Sequence, residues 1–213
     1  MPIDQIDLTN SEKIHQPPLF LFDLDATITR KPILPTIAAA VGKSAQMQEI
    51  VDRAVEGTIS FKQSFVERIE LLKEIPIHTL SEIVRHIPLN MQLVSFIAAH
   101  KDRCYIITGN IDALIGDLMQ DIGMEDRFFS SKACVEDHHI KYVIDMLDKK
   151  SIIEQFTVPF AAVGDGRNDA AMLEQAVVGI GYGGVRSIDP AVLACADYLV
   201  YEETDLCRLL KQL

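Results

Sequence analysis

Residues 17–29 have the sequence PPLFLFDLDATIT, an apolar run that follows two prolines and leads into acidic residues. A short continuous apolar run of this kind is typical of a parallel strand that is buried on both faces. Similar runs recur along the chain, at 103–110, 159–166, 176–181 and 196–200. Helical spacing of apolar residues marks the segments 111–123, 151–156 and 168–176. The alternation of strands and helices predicts a Rossmann-like α/β fold with a doubly wound parallel sheet.

The segment 32–93 interrupts this alternation, because it contains helical patterns and no convincing strand. About 60 residues placed directly after the first strand are too many for a simple crossover connection. We therefore predict an α/β core formed by residues 1–31 and 94–213, and a small helical cap formed by residues 32–93. Two capping-box patterns predict separate short helices within the cap, Ser60 with Gln63 and Thr79 with Glu82.

The composition is that of a globular protein, with 48% hydrophobic and 24% charged residues among 213. The net charge of −11 repels nucleic-acid backbones and anionic membrane surfaces, so neither is an expected partner. No stretch approaches the roughly 18 apolar residues of a membrane span. Residues 1–18 carry charges and prolines where a signal peptide needs an apolar run, so we expect a cytoplasmic location. The oligomeric state is left open.

Four cysteines occur without C-x-x-C spacing, which predicts reduced thiols instead of disulfides or a zinc cluster. They are Cys104, Cys134, Cys195 and Cys207.

Acidic residues follow two of the predicted strands. Asp23 and Asp25 come at the end of the first strand, and Asp165 and Asp169 follow the strand at 159–164 in the sequence VGDGRND. The carboxyl ends of parallel strands form the crevice in which α/β proteins bind ligands. Carboxylates that converge there repel one another unless a cation lies between them, and Mg²⁺ prefers such oxygen ligands. Together, the two acidic segments predict a Mg²⁺ site, although a solvated acidic turn would also explain either segment alone.

Two further features are compatible with a phosphate site at the same edge. Thr108 and Gly109 are predicted to end the second strand, where a hydroxyl and backbone amides would meet phosphate at the start of the next helix. Lys149 opens the helix before the VGDG strand, so its ammonium group could reach the crevice. An ordinary helix cap at Thr108 and a solvated lysine at 149 are the alternatives.

In this order along the chain, these residues resemble the four motifs of the haloacid dehalogenase-like phosphatases. The resemblance rests on Asp23-Leu-Asp25-Ala-Thr27, on Thr108, on Lys149 and on residues 164–169, and it covers nearly the whole chain after about Pro18. Among these enzymes the chain is most similar to the phosphoserine phosphatase-like subgroup, which carries a small helical cap after the first motif.

The resemblance implies a mechanism with an aspartyl-phosphate intermediate. Asp23 would attack phosphorus, and Asp25 would protonate the leaving group and then activate water. Mg²⁺ would be held by Asp23, the backbone carbonyl of Asp25, and Asp165 with help from Asp169. The remaining residues that it implies for phosphate and substrate binding are Thr27, Phe61, Arg68, Thr108, Gly109, Lys149 and Asn168.

One position departs from that subgroup. A glutamate nine residues after the nucleophile receives the substrate ammonium in phosphoserine phosphatases, and this chain has Pro32 there. Arg68 matches a cap arginine that binds the substrate carboxylate, although a solvated helix face would also explain it. We therefore expect as partner a small phosphorylated metabolite that need not be an amino acid.

Two other functions would use some of the same residues. A phosphotransferase or mutase of the same superfamily would use the same residues, with a hydroxyl in place of water as acceptor. A receiver-type phosphorylation switch lacks both the second aspartate and a cap. A dinucleotide site at residues 179–184, which fit G-x-G-x-x-G, is not expected because too few residues follow. His138 and His139 are expected in a surface turn.

Overall fold

A seven-stranded sheet forms the centre of the protein, whose computed structural model describes residues 17–213. The strands are β1 (Leu19–Phe22), β2 (Cys104–Ile111), β3 (Phe128–Glu136), β4 (His139–Asp145), β5 (Phe160–Gly164), β6 (Val178–Tyr182) and β7 (Tyr198–Val200). Their order in the sheet is β4-β3-β2-β1-β5-β6-β7, and only the pair β3–β4 is antiparallel. The predicted α/β fold with a mostly parallel sheet is confirmed.

Helices connect the parallel strands and fill the long segment between β1 and β2. Within residues 17–213 they are α1 (Ile33–Ala40), α2 (Ser44–Val55), α3 (Phe61–Glu70), α4 (Ile77–Arg85), α5 (Met91–Ala99), α6 (Asp112–Asp121), α7 (Lys149–Ile153), α8 (Ala170–Gln175), α9 (Pro190–Leu193) and α10 (Glu203–Leu210). Among these residues, no helix has the length and apolar character needed to cross a membrane. The prediction that residues 1–18 are not a signal peptide concerns mainly residues 1–16, which lie outside the part of the chain that the structure describes.

Strand β1 is central and buried on both faces, which explains its unbroken apolar sequence. Phe20 and Phe22 lie in the hydrophobic cluster on one face of the sheet, and this cluster continues into α3 through Phe65. Leu21 lies in the cluster on the other face, together with Ile107. Since these three of the four β1 side chains are inaccessible to solvent, the strand is a rigid support for the residues that follow it.

The antiparallel pair β3–β4 was not predicted from the sequence. Its side chains are largely half-buried or exposed, so the segment lacks the apolar run that marks the other strands. Asp137 and His138 connect the two strands with φ angles of 50° and 62°. Positive φ at both central residues is typical of a type I′ hairpin turn. His138 therefore lies in a turn, as expected, whereas His139 begins β4.

Helices α1 to α4 form an insertion whose two ends lie side by side. Thr29 and Leu89 form an isolated antiparallel bridge, and Arg30 N–H donates to the Pro88 carbonyl at 2.7 Å. Asn90 adds a side-chain bond, because its Nδ2 donates to the Thr27 carbonyl at 2.7 Å. The chain thus leaves and rejoins the sheet at neighbouring points, next to the loop after β1.

Of the two predicted capping boxes, only the Ser60 cap exists. The Ser60 hydroxyl accepts a hydrogen bond from Gln63 N–H at 3.1 Å and begins α3. The prediction for Thr79 is wrong, because this residue lies inside α4, whose N-cap is Pro76. A proline has the fixed φ that suits the start of a helix, so the helix begins before Thr79.

The glycines of residues 179–184 have a packing explanation. A Cβ atom at Gly179 would lie 2.6 Å from the Leu173 carbonyl oxygen, and one at Gly181 would lie 2.9 Å from the Leu199 side chain. Helix α8 and strand β7 therefore approach β6 more closely than a larger residue permits.

Replacement of Asn90 by alanine tests the junction of insertion and sheet. The Thr27 carbonyl would lose its side-chain donor in a buried environment, so we expect the free energy of unfolding to fall by about 1–3 kcal/mol. Urea denaturation measures the change. The control is Gln92→Ala, an exposed amide two residues away, which should change stability by less than about 0.5 kcal/mol. Equal stability of the two variants would contradict the role of Asn90.

Candidate active site

Three aspartates converge at the carboxyl edge of the sheet. Asp23 follows β1, Asp165 follows β5, and Asp169 ends the short 3-10 turn of residues 167–169. Because β1 and β5 are parallel neighbours, their ends bring the first two side chains together. One carboxylate oxygen from each residue lies within 4.8 Å of the others, and all three side chains are buried.

Lys149 neutralises part of this cluster. It is the first residue of α7, and its Nζ lies 2.5 Å from Asp23 Oδ1 and 2.6 Å from Asp169 Oδ1. Asp148 caps α7 by accepting from Lys150 N–H, which fixes the direction in which the helix starts. Burial would lower the pKa of Lys149, but the charges of Asp169 and Asp23 outweigh burial and raise this pKa. The ammonium group is therefore held charged between two carboxylates.

The loop after β5 places Asp169 against the backbone. Asp169 Oδ2 accepts from the N–H groups of Asp165 at 3.0 Å and Gly166 at 2.8 Å. A Cβ atom at Gly164 would lie 2.5 Å from the Asp169 carboxyl carbon. Glycine is thus required at 164 so that the carboxylate can fold back onto the loop.

Arg186 is a charged residue of this site that was not predicted from the sequence. It lies between β6 and α9, and its Nε donates to Asp165 Oδ2. Its Nη1 lies 4.0 Å from Asp25 Oδ2. The signal was an arginine shortly after the end of a predicted parallel strand, in the sequence GYGGVRS at 181–187. Because the loop after β6 ends at the same edge of the sheet as β1 and β5, this arginine reaches the cluster.

Burial and mutual repulsion raise the pKa values of the clustered carboxyl groups. The pKa of Asp23 is raised to about 8, first by burial and then by the charge of Asp169, although Lys149 opposes both. The pKa of Asp165 is raised to about 6 by burial, against the hydrogen bond from Arg186. The cationic side chains therefore compensate only part of the negative charge.

The residues present fit a Mg²⁺ ion. Asp165 uses Oδ2 for Arg186, while its Oδ1 is buried and has no hydrogen-bond partner among residues 17–213. The donor set of Asp23, Asp165 and Asp169 consists of carboxylate oxygens alone, which is the chemistry that Mg²⁺ prefers. A divalent cation would also compensate the charge that raises the Asp23 and Asp165 pKa values.

Asp25 lies beside this cluster in a tight turn. Its Oδ1 accepts from Ile33 N–H at 2.6 Å, and the next residue, Ala26, has a φ of 64°. Burial raises the pKa of Asp25, while the Ile33 bond and the charges of Arg186 and Arg68 oppose the increase. The surroundings of Asp25 therefore raise its pKa, which is the direction expected of a carboxyl group that acts as a general acid.

A cleft of about 110 Å³ opens above Asp23 and Asp25. The predicted site residues that line it are Asp23, Asp25, Phe61, Arg68, Thr108, Gly109 and Asn168. Leu34, Phe65, Asn110 and Arg186 line it as well and were not predicted as site residues. Thr27, predicted to bind substrate, is fully buried and is not among the lining residues. Both the sheet edge and the insertion contribute to the walls.

Thr108 and Gly109 are placed differently from the prediction. Strand β2 continues to Ile111, and α6 begins only at Asp112, so Thr108 does not cap this helix. The ladder between β2 and β3 is irregular between Ile107 and Ile111, so the intervening residues bulge out of register. A bulge redirects side chains and often lies next to an active site. The bulge, and not a helix N-terminus, presents these residues to the cleft.

Known proteins resemble this chain in sequence and in structure. The family model described as haloacid dehalogenase-like hydrolase matches residues 20–174. Phosphoserine phosphatase of Archaeoglobus fulgidus is 27% identical over 179 residues, which cover 77% of this chain and 52% of that protein. Phosphoserine phosphatase of Methanocaldococcus jannaschii is 26% identical over 204 residues, which cover 89% of this chain and 90% of that protein.

Two solved structures show the same fold. A structure described as a phospho-aspartyl intermediate analogue of phosphoserine phosphatase has a TM-score of 0.77 at 25% identity, and the match covers 93% of this chain and 99% of that chain. A substrate-bound phosphoserine phosphatase complex has a TM-score of 0.78 at 25% identity, with the same coverage of 93% and 99%.

Gly164→Ala tests the packing that holds Asp169. The new methyl group would displace the Asp169 carboxylate and weaken its bond to Lys149, so we expect the free energy of unfolding to fall by about 1–3 kcal/mol. Gly116→Ala is the matched control, because a Cβ atom there meets nothing within 4 Å and the residue lies inside α6. This control should gain about 0.5–1 kcal/mol in chemical denaturation. A Gly164→Ala protein as stable as wild type would refute the close approach.

Proposed function

The chain belongs to the haloacid dehalogenase-like hydrolase family and is a phosphatase, and on this basis we propose that it is Mg²⁺-dependent and hydrolyses a small phosphomonoester through an aspartyl-phosphate. The observation that carries the proposal is the buried contact of Lys149 with Asp23 and Asp169, because Asp23 also lines a cleft together with Asp25.

Asp23 is the proposed nucleophile. Its Oδ1 accepts from Lys149, while the hydrogen bonds of residues 17–213 leave Oδ2 available for attack on phosphorus. Attack forms the Asp23–phosphorus bond and breaks the bond from phosphorus to the ester oxygen. Lys149 orients the carboxylate during this step and keeps positive charge beside the transferred group.

Asp25 is the proposed general acid and base. In its protonated form it gives its proton to the leaving alkoxide, and in the second step it accepts a proton from the water that attacks the phosphorylated Asp23. This attack releases inorganic phosphate and restores both carboxyl groups. The hydrogen bond from Ile33 N–H to Oδ1 leaves Oδ2 as the oxygen for proton transfer.

Asp23, Asp165 and Asp169 would hold Mg²⁺, together with the backbone carbonyl of Asp25 that the family resemblance implies. When bound, the ion would supply positive charge for the phosphoryl oxygens. The Thr108 hydroxyl, the Gly109 amide and Asn168 are the proposed partners of those oxygens, since all three residues line the cleft.

Residues 32–93 are the proposed cap. Phe61 and Arg68 of α3 reach the cleft from this insertion, and Phe61 is 62% exposed. We favour hydrolysis over transfer of the phosphoryl group to another hydroxyl because the relatives named above are phosphatases. The second aspartate and the insertion also argue against a receiver-type switch.

The substrate is proposed to lack an amino group. Asp23 and Asp25 are the only carboxylates that line the cleft among the described residues, and both have roles in catalysis. Pro32 stands at the N-cap of α1, and Leu34 of that helix lines the cleft. Glu67, another possible ammonium partner, is paired with Arg53 at 2.8 Å.

Metal dependence and the nucleophile can be tested together. The wild-type protein should hydrolyse p-nitrophenyl phosphate with Mg²⁺, lose this activity in EDTA and regain it when Mg²⁺ is added back. Asp23→Asn should reduce kcat at least about 1000-fold, because the amide cannot form the phosphorylated intermediate. Asp126→Asn, which alters an exposed carboxylate paired with Lys101, is the control and should retain activity. Full activity in EDTA would refute the metal site.

The substrate proposal can be tested with O-phosphoserine and 3-phosphooxypropanoate, which differ only in the amine. An ammonium group without a partner in the cleft should lower kcat/KM for phosphoserine by about 30- to 150-fold, the equivalent of about 2–3 kcal/mol. Pro32→Glu should reduce the difference in kcat/KM between the two substrates. If phosphoserine were the better substrate of the wild-type protein, a carboxylate such as that of Glu56 or Glu67 would have to bind the substrate ammonium group.

A further inference from the structure

Arg186 lines the cleft from a loop that is anchored at both ends. The loop that carries it is anchored at one end by the bond from Gly183 N–H to the Val200 carbonyl, and at the other by the bond from Asp189 N–H to the Asp165 carbonyl, both 2.8 Å long. Ile188 of this loop is buried in the core. The guanidinium is therefore presented by an ordered segment.

The contacts of Arg186 use only part of its guanidinium. Nε donates to Asp165 Oδ2, but Nη1 is 4.0 Å from Asp25 Oδ2, which is too far for a hydrogen bond. A guanidinium has five N–H donors, so most of them have no partner among the described residues. The side chain is 44% exposed and lines the cleft. A hydrogen bond to Asp165 uses only the Nε donor, so holding Asp165 does not by itself explain why Arg186 also lines the cleft.

Arg68 brings a second guanidinium to the same cleft from α3. Its Nε donates to the Ser64 carbonyl at 3.2 Å, and its guanidinium carbon lies 5.9 Å from the centre of the Phe65 ring. Burial lowers the pKa of Arg68, and the charge of Arg186 lowers it further, while Asp25 opposes both. Both arginines line the cleft, so an anion bound between them would compensate two positive charges.

Building on the phosphatase function above, we propose that Arg186 acts with Arg68 to bind a carboxylate of the substrate, so that the substrates are small phosphorylated carboxylic acids without an amine. A carboxylate matches the planar fork of a guanidinium and can accept two parallel hydrogen bonds. Arg68 and Arg186 line the same cleft as Asp23, so one small molecule can reach both arginines while its phosphoryl group lies at Asp23.

The experiment compares 3-phosphooxypropanoate with propyl phosphate, which has the same phosphate group but lacks the carboxylate, at saturating Mg²⁺. The quantity measured is the ratio of their kcat/KM values, because an effect of Arg186 on Asp165 or on metal binding changes both substrates alike. The wild-type protein should have the higher kcat/KM for 3-phosphooxypropanoate. Arg186→Gln should lower the ratio of the two kcat/KM values by about 10- to 100-fold. Arg186→Lys, which keeps the charge and loses the fork, should recover part of the ratio.

Arg167→Gln is the matched control. Arg167 lies on the neighbouring loop, is 80% exposed and does not line the cleft, so its loss should leave the ratio unchanged. An equal effect of both glutamine variants would mean that overall charge sets the preference, and would overturn the proposal. An unchanged ratio in Arg186→Gln would mean that Arg186 only holds Asp165 in place, and this result would also overturn the proposal.

Calorimetry gives a second measurement that does not depend on turnover. Binding of 3-phosphonopropanoate should weaken in Arg186→Gln, whereas binding of propylphosphonate should change little. If the wild-type protein hydrolysed neither ester, the proposed phosphatase function would fail, while the calorimetric comparison would still decide the role of Arg186. Equal loss of affinity for both phosphonates would refute carboxylate binding.

Discussion

The ion pairs of Lys149 with Asp23 and Asp169 fix the geometry of the site. Three charged side chains taken out of water are costly unless each has partners at short distance. Here α7, β1 and the loop after β5 must meet within hydrogen-bond reach, and the rigid packing of β1 in the centre of the sheet makes this possible. A side chain at position 164 would push the Asp169 carboxylate away, and glycine avoids this clash.

Two arginines extend this arrangement from the sheet edge into the cleft. Arg186 orients Asp165, whose other carboxylate oxygen has no hydrogen-bond partner within residues 17–213, while Arg68 comes from the insertion. The insertion shares one hydrophobic cluster with a face of the sheet. The position of Arg68 relative to Asp25 therefore depends on packing between α3 and the sheet, and not on the loop after β1 alone.

Much of the fold could be predicted because its central strands are buried on both faces. Burial requires unbroken apolar runs, which are visible in the sequence around Leu21 and Ala162. The hairpin β3–β4 lacked this signal, since it lies at the edge of the sheet and its side chains are partly exposed. The end of β2 was also misplaced, because the bulge near Thr108 depends on pairing with β3.

The sequence by itself determined the α/β class and the grouping of Asp23, Asp25, Asp165 and Asp169, because parallel strands end at one edge and place the following residues there. Tertiary structure alone decided which atoms of these residues are paired and which are free. Arg186 reaches Asp165 from 21 residues away along the chain. Such contacts depend on loop anchoring and on the balance of buried charges, and neither leaves a periodic pattern in the sequence.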